Sequence, residues 1–454
     1  MRGTLGRYRS LCAVLATGIG VAALAGCGNS NFYNITQPQS VVIADFAGTG
    51  YPGVAVAQAQ IDESGVNPGE QPGYVAVVLQ TPGSPGTFGS STHFGTKGNP
   101  FAMVAGDLTN SGAVDLAVAN GNDQSISVLM ETAPKSATFS PALNVPTSPA
   151  GLTTTPDDVA MCDINGDGFL DLVVADAGAA IDPATITTYS AIGAVTTNGH
   201  IIGILQNASS PGTFGAPTVI GPAPTPAADE SPTPTANAIY GVACGSLSTT
   251  TAGAPPDIVF TSYDYQGDNG TVSILFHDPA HPGQFLPRFD LSLPGLLHRV
   301  VIADVNNDGL PDIIVANAGA GSDGNGTAGI VVMLQDPSNP GTFEAPVTYA
   351  VYAVSGFAVG DVNGDGLPDI VSASSYPPGT GTVSVQFNDA SVPGTFSATP
   401  VEYSGLGNPE AVAIGPLSGH TLNDIATADS TGVAVMLNET SSPGTFGAPA
   451  LVGG

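Results

Sequence analysis

The sequence contains few basic residues and no tryptophan. Lys and Arg together number 7 among 454 residues, against 37 Asp and Glu, and the formal net charge is −30 at pH 7. Binding to nucleic acid needs Lys and Arg to neutralise phosphates, so this shortage argues against that class of partner. The excess of carboxylates suits divalent cations instead. Because 42% of the residues are hydrophobic, the chain is also too apolar to be a disordered acidic protein.

Motifs of common active sites are also missing. The sequence has no HExxH, no GxSxG and no P-loop motif. Its six His residues are scattered, and although His277 and His281 have helical spacing, nearby Pro residues prevent a helix there. The sequence therefore predicts no enzymatic activity.

The N-terminus is typical of an export signal. Three Arg residues within the first nine positions precede an apolar run over residues 11–24, which is too short for a transmembrane helix. The stretch Leu24-Ala25-Gly26-Cys27 resembles the lipobox of bacterial lipoproteins, which implies cleavage before Cys27 and a diacylglycerol group on its sulfur. An ordinary signal peptide with a chance Cys is the alternative.

These features predict a signal peptide over residues 1–26 and a lipidated tether over residues 27–37. Gly28 rather than Asp follows Cys27, which by resemblance to bacterial lipoproteins favours the outer membrane or cell surface. Cleavage would leave four basic residues against 37 acidic ones. Cys162 and Cys244 would remain, and the sequence leaves open whether they form a disulfide or stay as buried thiols.

One acidic nine-residue pattern recurs along the chain. Its complete copies are DINGDGFLD from Asp163, DVNNDGLPD from Asp304 and DVNGDGLPD from Asp361. Looser copies begin at Asp45 and Asp107, and two more, at residues 246–257 and 416–424, are visible mainly through their surroundings. The pattern therefore recurs seven times.

A second marker recurs in phase with the first. PGTF or a related turn ends at seven Phe residues: Phe88, Phe139, Phe214, Phe285, Phe343, Phe396 and Phe446. Alternating β-branched segments such as YVAVVLQ and GIVVMLQ lie between the two markers and are typical of strands. Each unit thus predicts four antiparallel strands, with the acidic loop between the first two. Seven units favour an all-β, seven-bladed β-propeller, whose closed ring removes sheet edges; six or eight blades are the alternatives.

The loops and turns together resemble the FG-GAP family, also called VCBS repeats. This calcium-loop type of propeller occurs in integrin alpha-subunit heads and in many bacterial exported proteins. The resemblance covers residues 38–454. It implies a seven-bladed β-propeller of four-stranded antiparallel blades with calcium-binding hairpin loops, and it says little about activity.

The DxNxDG pattern also begins an EF-hand loop, but that alternative fails. An EF-hand needs a bidentate Glu at position 12, where the three complete loops have Val174, Val315 and Ser372. In a propeller hairpin, positions 1, 3, 5 and 9 offer side-chain oxygens and position 7 offers a carbonyl. This oxygen-only set with three carboxylates suits Ca²⁺. The alternative, a solvated acidic turn without metal, is disfavoured because the carboxylates would repel one another.

Three blades supply the predicted calcium ligands. In the third blade they are Asp163, Asn165, Asp167, the Phe169 carbonyl and Asp171. In the fifth they are Asp304, Asn306, Asp308, the Leu310 carbonyl and Asp312, and in the sixth they are Asp361, Asn363, Asp365, the Leu367 carbonyl and Asp369. A weaker fourth candidate, in the second blade, combines Asp107, Thr109, Ser111 and Asp115. The other loops lack essential carboxylates, so calcium is predicted to be a structural cofactor.

The two faces of the predicted propeller differ. The first and third hairpin loops of each blade share one face, called here the metal-loop face. The second hairpin loops and the blade-to-blade segments share the other, called here the insertion face. Long segments lie on the insertion face at residues 57–73, 177–199, 222–238 and 318–329, with Tyr189, Tyr263, Tyr265 and Tyr376 expected in its loops. Long loops on a rigid scaffold are common binding sites.

These predictions favour an exported, membrane-anchored, calcium-stabilised propeller that acts as a protein-interaction or adhesion module at the cell surface. A glycan-binding propeller is the alternative. An enzyme with a site on the insertion face or in the central channel is a third hypothesis.

Overall fold

The structure is a computed structural model. It describes residues 35–61, 72–178, 199–220, 237–247, 254–264, 269–319, 328–351, 354–374, 381–430 and 432–453. These residues form seven four-stranded antiparallel sheets in which sequential strands are neighbours. No helix within them has the length and hydropathy to cross a membrane. The predicted signal peptide and Cys27 lie outside the described residues.

The strands follow the predicted order. Blade 1 contains β1 (Ile35–Ala44), β2 (Gly53–Ile61), β3 (Pro72–Val78) and β4 (Thr92–Gly98), and blade 2 contains β5 (Pro100–Gly106), β6 (Asp115–Asn120), β7 (Ser125–Leu129) and β8 (Leu143–Pro146). Blade 3 contains β9 (Pro156–Cys162), β10 (Asp171–Asp176), β11 (His200–Ile204) and β12 (Thr218–Val219), and blade 4 contains β13 (Asn237–Gly245), β14 (Asp257–Asp264), β15 (Asn269–Leu275) and β16 (Phe289–Pro294). The first strand starts three residues before the predicted boundary at residue 38.

The remaining blades complete the ring. Blade 5 contains β17 (Leu297–Ala303), β18 (Asp312–Asn317), β19 (Gly329–Met333) and β20 (Val347–Ala350). Blade 6 contains β21 (Val354–Gly360), β22 (Asp369–Ser374), β23 (Gly381–Gln386) and β24 (Val401–Leu406), and blade 7 contains β25 (Pro409–Gly415), β26 (Asp424–Asp429), β27 (Gly432–Met436) and β28 (Ala450–Val452). The first strand of each blade contacts the first strands of both neighbouring blades, and β1 contacts β25. The prediction of a seven-bladed β-propeller is confirmed.

The hydrophobic core lies between the blades. Seven clusters of buried residues each join two neighbouring blades. The second strands, such as β10 and β18, are buried along their whole length because a blade covers each face. That burial explains their unbroken apolar sequences, in contrast to the alternation of a sheet with one wet face.

Each core cluster contains both sequence markers. The second residue of each acidic loop packs in the same cluster as the Phe of the PGTF turn in the next blade. The pairs are Phe46 with Phe139, Leu108 with Phe214, Ile164 with Phe285, Leu247 with Phe343, Val305 with Phe396, Val362 with Phe446, and Leu417 with Phe88. The last pair closes the ring between blades 7 and 1. The two markers recur in phase because they are the two sides of one interface.

Every innermost strand also carries an irregularity near its start. In six blades one residue is skipped in the pairing with the second strand, and in β17 two residues, His298 and Arg299, lie opposite one residue of β18; both patterns are signatures of a β-bulge. The first skipped residue of each blade belongs to a set called here the bulge ring: Gln39, Phe101, Asp157, Tyr240, His298, Ser355 and Glu410. All seven are half-buried. Because the inner strands run from the insertion face to the metal-loop face, the ring surrounds the channel mouth on the insertion face.

Candidate metal centres

The three complete loops lie where the sequence predicts, between the first and second strands of blades 3, 5 and 6. In blade 3, Asp163 accepts hydrogen bonds from the backbone N–H groups of Gly166, Asp167 and Gly168 at 2.7, 3.0 and 2.8 Å. Gly168 has a φ of 91°, a left-handed conformation that glycine adopts at little cost. The first Asp therefore closes the loop, and the glycine allows its tight turn.

The other two complete loops have the same construction. Asp304 accepts N–H groups of Asp308 and Gly309 at 3.2 and 2.8 Å. Asp361 accepts N–H groups of Gly364 and Gly366 at 2.6 and 2.9 Å. The recurrence shows that the sequence motif specifies one backbone shape.

The ninth residue of each loop is a fully buried carboxylate. Asp171 accepts the N–H of Ile164 at 3.1 Å and the N–H of Gln206 at 2.8 Å, and it thereby ties the loop to the end of the third strand. Burial, and after it the neighbouring Asp167 and Asp163 carboxylates, raise the pKa of Asp171 to about 6, although the two N–H donors lower it. Burial likewise raises the pKa values of Asp312 and Asp369 to about 6.

This ninth Asp has a structural role that the sequence reasoning missed. Blades 4 and 7 lack the other ligands, yet Asp257 and Asp424 occupy the same place. Asp257 accepts the N–H groups of Leu247 and His277, both at 2.8 Å. Asp424 accepts those of Leu417 and Asn438 at 2.6 and 2.7 Å. The Asp thus holds the hairpin whether or not the loop has a metal-ligand pattern, and its presence in the incomplete loops was the available signal.

The third and fifth residues of each complete loop contact each other. The Asn165 amide donates to Asp167 at 3.0 Å, and Asn306 and Asn363 donate to the fifth-position Asp in the same way. Within the described ranges, no group of three or more His, Cys, Asp or Glu side chains is arranged to hold a metal ion. The donor types fit Ca²⁺, and a cation would offset the repulsion that contributes to the raised pKa of Asp171. Calcium binding by these loops stays a prediction.

The weaker candidate in blade 2 has the same turn with fewer charges. Asp107 accepts the N–H groups of Ser111 and Gly112 at 2.9 and 2.7 Å, and the Thr109 hydroxyl donates to that of Ser111 at 3.0 Å. Asp115 accepts the N–H of Leu108 at 3.1 Å. Hydroxyl groups therefore replace the third-position amide and the fifth-position carboxylate, so the loop keeps its shape with two carboxylates.

In blade 7, a hydrogen-bond network occupies the corresponding loop. His420 stands at the fifth position, and its Nε2 contacts the Ser418 hydroxyl and the Asn438 carbonyl, the latter at 3.1 Å. The Ser418 hydroxyl also donates to Asp424 at 2.7 Å. These side chains hold the loop together without the three carboxylates of the complete loops.

The loops pack directly against the next blade. A Cβ placed on Gly394 of the PGTF turn in blade 6 would come within 3.1 Å of the Asn306 Cβ in the blade 5 loop, and Gly394 has a φ of 88°. Gly444 and Asn363 make the equivalent approach between blades 7 and 6. The PGTF glycine therefore meets two needs, a left-handed turn and space for the loop of the preceding blade.

Cys162 and Cys244 form a disulfide, which resolves the alternative that the sequence left open. Their sulfurs are 2.12 Å apart and join β9 of blade 3 to β13 of blade 4. Cys162 directly precedes Asp163 and pairs with Asp171 across the hairpin. The disulfide therefore anchors the base of the complete loop in blade 3.

The expected aromatic residues of the insertion face are only partly described. Tyr263 was expected in a loop, but it lies in β14 and is only 4% exposed, so this expectation was wrong. The strand continues to Asp264, and Tyr263 pairs with Ala238 and Gly270 of its neighbours. Tyr189, Tyr265 and Tyr376 lie outside the described residues, as do large parts of the four long segments.

Two family models match the repeats. A model described as FG-GAP-like repeat matches residues 107–174, and one described as FG-GAP repeat matches residues 298–332 and 353–385. The matched residues include the three complete loops and the loop of blade 2. A search of curated proteins finds no match.

Similar solved structures are distant in sequence. The crystal structure of BBS1N in complex with ARL6DN, soaked with lead, is 13% identical, with a TM-score of 0.38 over 75% of this chain and 93% of that chain. The crystal structure of the exotype rhamnogalacturonan lyase YesX is 12% identical, with a TM-score of 0.43 over 88% of this chain and 72% of that chain. Similarities this low support no conclusion about function. The matched repeats and the sheet topology together identify the chain as a seven-bladed β-propeller that contains FG-GAP repeats.

Proposed function

We propose that the protein is an exported, lipid-anchored interaction module that binds a protein partner through its insertion face. Calcium in the complete loops of blades 3, 5 and 6 serves as a structural cofactor. The observation that carries this proposal is a difference between the two faces. The loops and turns of the metal-loop face pack between blades, whereas the long connections of the chain belong to the insertion face.

On the metal-loop face, buried side-chain amides join neighbouring blades by hydrogen bonds. Gln206 donates to the Leu108 carbonyl in the preceding blade at 2.8 Å, and Asn388 donates to the Val305 carbonyl at 2.7 Å. Both amides are buried at the end of a third strand, just before a PGTF turn. Changes on this face would leave buried polar groups without partners, at about 1–3 kcal/mol each. A binding surface can therefore vary at lower cost on the insertion face.

Two features support export. Cys162 and Cys244 form a disulfide, and disulfides form and persist in oxidising compartments. The N-terminal residues carry the pattern of a lipoprotein signal, with Cys27 as the acceptor of the lipid. Lipid attachment would hold the propeller at a membrane surface.

Calcium would act at the boundaries between blades. Each complete loop contributes its second residue to the core shared with the next blade, so a cation that stiffens the loop also stabilises that interface. A site that binds only the folded protein contributes about 2.7 kcal/mol when free calcium is 100-fold above its Kd. The stabilisation should therefore rise with calcium concentration and involve blades 3, 5 and 6.

Photo-crosslinking from defined positions on intact cells tests the proposed interaction. A crosslinking amino acid is placed at Asp123 or Ala150, in connections of the insertion face, and in matched variants at Ser338 or Ser391, in turns of the metal-loop face. All four residues are exposed. The proposal expects a discrete crosslinked protein from the first pair only.

Equal crosslinking from both faces, or none from the insertion face, would contradict the proposal. Loss of the membrane fraction in a Cys27→Ser variant is expected in the same cells, and retention of that variant at the membrane would exclude the lipid anchor. Among the described residues, no observation favours the glycan-binding alternative, since Tyr263 is buried.

A further inference from the structure

The fourth residue of each acidic loop faces the next blade. In every blade whose loop the structure describes, this residue has a left-handed backbone, with φ between 53° and 78°. In blades 1, 3, 6 and 7 it is Gly, and a Cβ there would come within 3.3 Å of a side chain of the next blade. In blades 2 and 5 it is Asn110 and Asn307, and Asn is one of the few residues other than Gly that visit this conformation. The fourth position is therefore the point where one loop meets the next blade.

The two Asn residues at this position each reach the loop of the next blade. The Asn110 amide donates to the Gly168 carbonyl of blade 3 at 2.7 Å, and the Asn307 amide donates to the Gly366 carbonyl of blade 6 at 2.9 Å. Both accepting glycines hold the sixth position of a complete loop. The same contact thus occurs twice between equivalent positions, and it joins blade 2 with blade 3 and blade 5 with blade 6.

The accepting carbonyl in blade 6 lies between two predicted calcium ligands. Gly366 follows Asp365, a predicted side-chain ligand, and precedes Leu367, whose carbonyl is another. The peptide unit that joins Gly366 to Leu367 is held on both sides, because its N–H donates to Asp365 at 2.9 Å and its carbonyl accepts the Asn307 amide. Asn307 therefore helps to orient the segment of backbone on which these two ligands stand.

The donor is held by its own loop in a similar way. Asn307 lies between Asn306 and Asp308, both predicted ligands of the blade 5 site. The Asp308 N–H donates to the side chains of Asn306 at 3.0 Å and Asp304 at 3.2 Å. A cation held by these side chains would restrict the backbone of Asn307 and, with it, the direction of its amide. One hydrogen bond therefore connects the ligand set of blade 5 with that of blade 6.

We infer that Asn307 is a positioning residue that couples the calcium sites of blades 5 and 6, and that Asn110 does the same between blades 2 and 3. This inference rests on the proposed function, because it takes calcium to be the cofactor of these loops. A loop that is already restricted through its neighbour loses less conformational entropy when it binds its own ion, and the effect is reciprocal. The net free energy of a typical hydrogen bond corresponds to a change in affinity of about 2- to 10-fold.

Calorimetric titration of the purified protein with calcium tests the inference. All proteins carry Asp107→Asn and Asp167→Asn, which remove a predicted ligand charge from the loops of blades 2 and 3. Addition of Asp365→Asn leaves only the blade 5 site, addition of Asp308→Asn leaves only the blade 6 site, and the parent protein retains both. The coupling factor is the overall constant for filling both sites divided by the product of the two single-site constants.

Asn307→Gly removes the contact and keeps the turn, because Gly holds the same position in the complete loops of blades 3 and 6. When the three titrations are repeated with this change, the coupling factor should fall by about 2- to 10-fold. Repulsion between two bound cations affects both sets of proteins equally, so the comparison isolates the hydrogen bond. Asn110→Gly, the matched change in the other pair of loops, should leave the coupling between blades 5 and 6 unchanged. An unaltered factor in Asn307→Gly, or an equal fall in Asn110→Gly, would overturn the inference.

Hydrogen exchange in the blade 6 loop provides a second readout. In the Asp365→Asn protein, calcium that fills the blade 5 loop should slow exchange of the Gly366 and Leu367 amides, and Asn307→Gly should abolish this response. A contact that only stabilised the fold would not make these amides respond to calcium, so an unchanged exchange rate would count against coupling. If the single-site proteins bind calcium and the coupling factor does not depend on Asn307, this inference fails and the proposed role of calcium stands. If neither single-site protein binds calcium, both fail.

Discussion

Two equivalent Asp residues separate the structural role of the ninth loop position from its predicted role in calcium binding. Asp424 in blade 7 accepts N–H groups of Leu417, Ser418 and Asn438 at 2.6, 2.7 and 2.7 Å, in a loop without the metal-ligand pattern. Asp369 in blade 6 accepts two such groups, at 3.0 and 2.9 Å, in a complete loop. Substitution of each Asp by Ala therefore removes similar hydrogen bonds, but only one removes a predicted ligand.

The expected losses follow from these contacts. Each buried N–H left without an acceptor costs about 1–3 kcal/mol, so Asp424→Ala, which removes the acceptor of three such groups, should lower the free energy of unfolding by about 3–9 kcal/mol, with or without calcium. Asp369→Ala should cost about 2–6 kcal/mol in chelator. In calcium at 100-fold above its Kd, the cost should grow by about 2.7 kcal/mol, because the site in blade 6 is lost.

Urea unfolding of both variants and the wild type, in calcium and in EDTA, measures these differences. The wild type should be more stable in calcium. An Asp369→Ala penalty that is the same in both conditions would refute the role of Asp369 as a ligand. A penalty for Asp424→Ala that grows in calcium would show that the loop of blade 7 binds the cation as well.

Three further predictions concern other parts of the molecule. Cys162→Ser should lower the free energy of unfolding by about 4.5 kcal/mol in the chain-entropy model, since the disulfide spans 82 residues. Urea unfolding with and without reductant measures this loss, and equal stability of the variant and the wild type would exclude the disulfide. Phe396→Ala should cost about 3–5 kcal/mol, while Val392→Ala, at a residue that is 56% exposed, should cost less than about 0.5 kcal/mol in the same assay. Because burial raises the folded-state pKa values of Asp157 and Glu410, the folded protein binds more protons than the unfolded chain between pH 4 and 7. The free energy of unfolding should therefore fall by roughly 2 kcal/mol for each group as pH rises from 5 to 8. Asp157→Asn/Glu410→Gln should flatten the plot of unfolding free energy against pH in saturating calcium, and an unchanged slope of that plot would contradict the raised pKa values.

The repeat made the fold predictable from one sequence. Two markers in phase gave the number of blades and the position of each loop, and the structure confirms both. It adds the physical reason, since Ile164 of one loop and Phe285 of the next turn share a core cluster. Because the acidic loop and the PGTF turn form the two sides of each interface between blades, both motifs recur with the same period.

Other features were hidden because they depend on pairing between strands. A β-bulge skips one residue in the register, and hydrophobic periodicity does not show where this occurs, so Asp157 and Glu410 were not singled out. Their signal was variation, because each stands at a repeat position that changes in every blade. The sequence also left undecided whether Cys162 and Cys244 form a disulfide, although both lie near the ends of equivalent strands in consecutive repeats.

The structural role of the Asp at the ninth loop position was not predicted, because the metal-ligand motif already explained that residue. Asp171 belongs to a complete ligand pattern, and the pattern alone accounts for its presence. Asp257 and Asp424 show that the carboxylate stabilises the hairpin independently of that pattern, whereas blade 1 forms its hairpin with Gly53 at the same position. The sequence contained this evidence in the incomplete repeats.

Anomalous diffraction from crystals grown with calcium, or with terbium in its place, tests the calcium assignment most directly. The three complete loops should each hold one strong peak, coordinated by the side chains of the first, third, fifth and ninth residues and the seventh carbonyl. The blade 2 loop should show a weaker peak, and the blade 4 and blade 7 loops should show none. Density without a metal peak in the loops of blades 3, 5 and 6 would contradict the assignment.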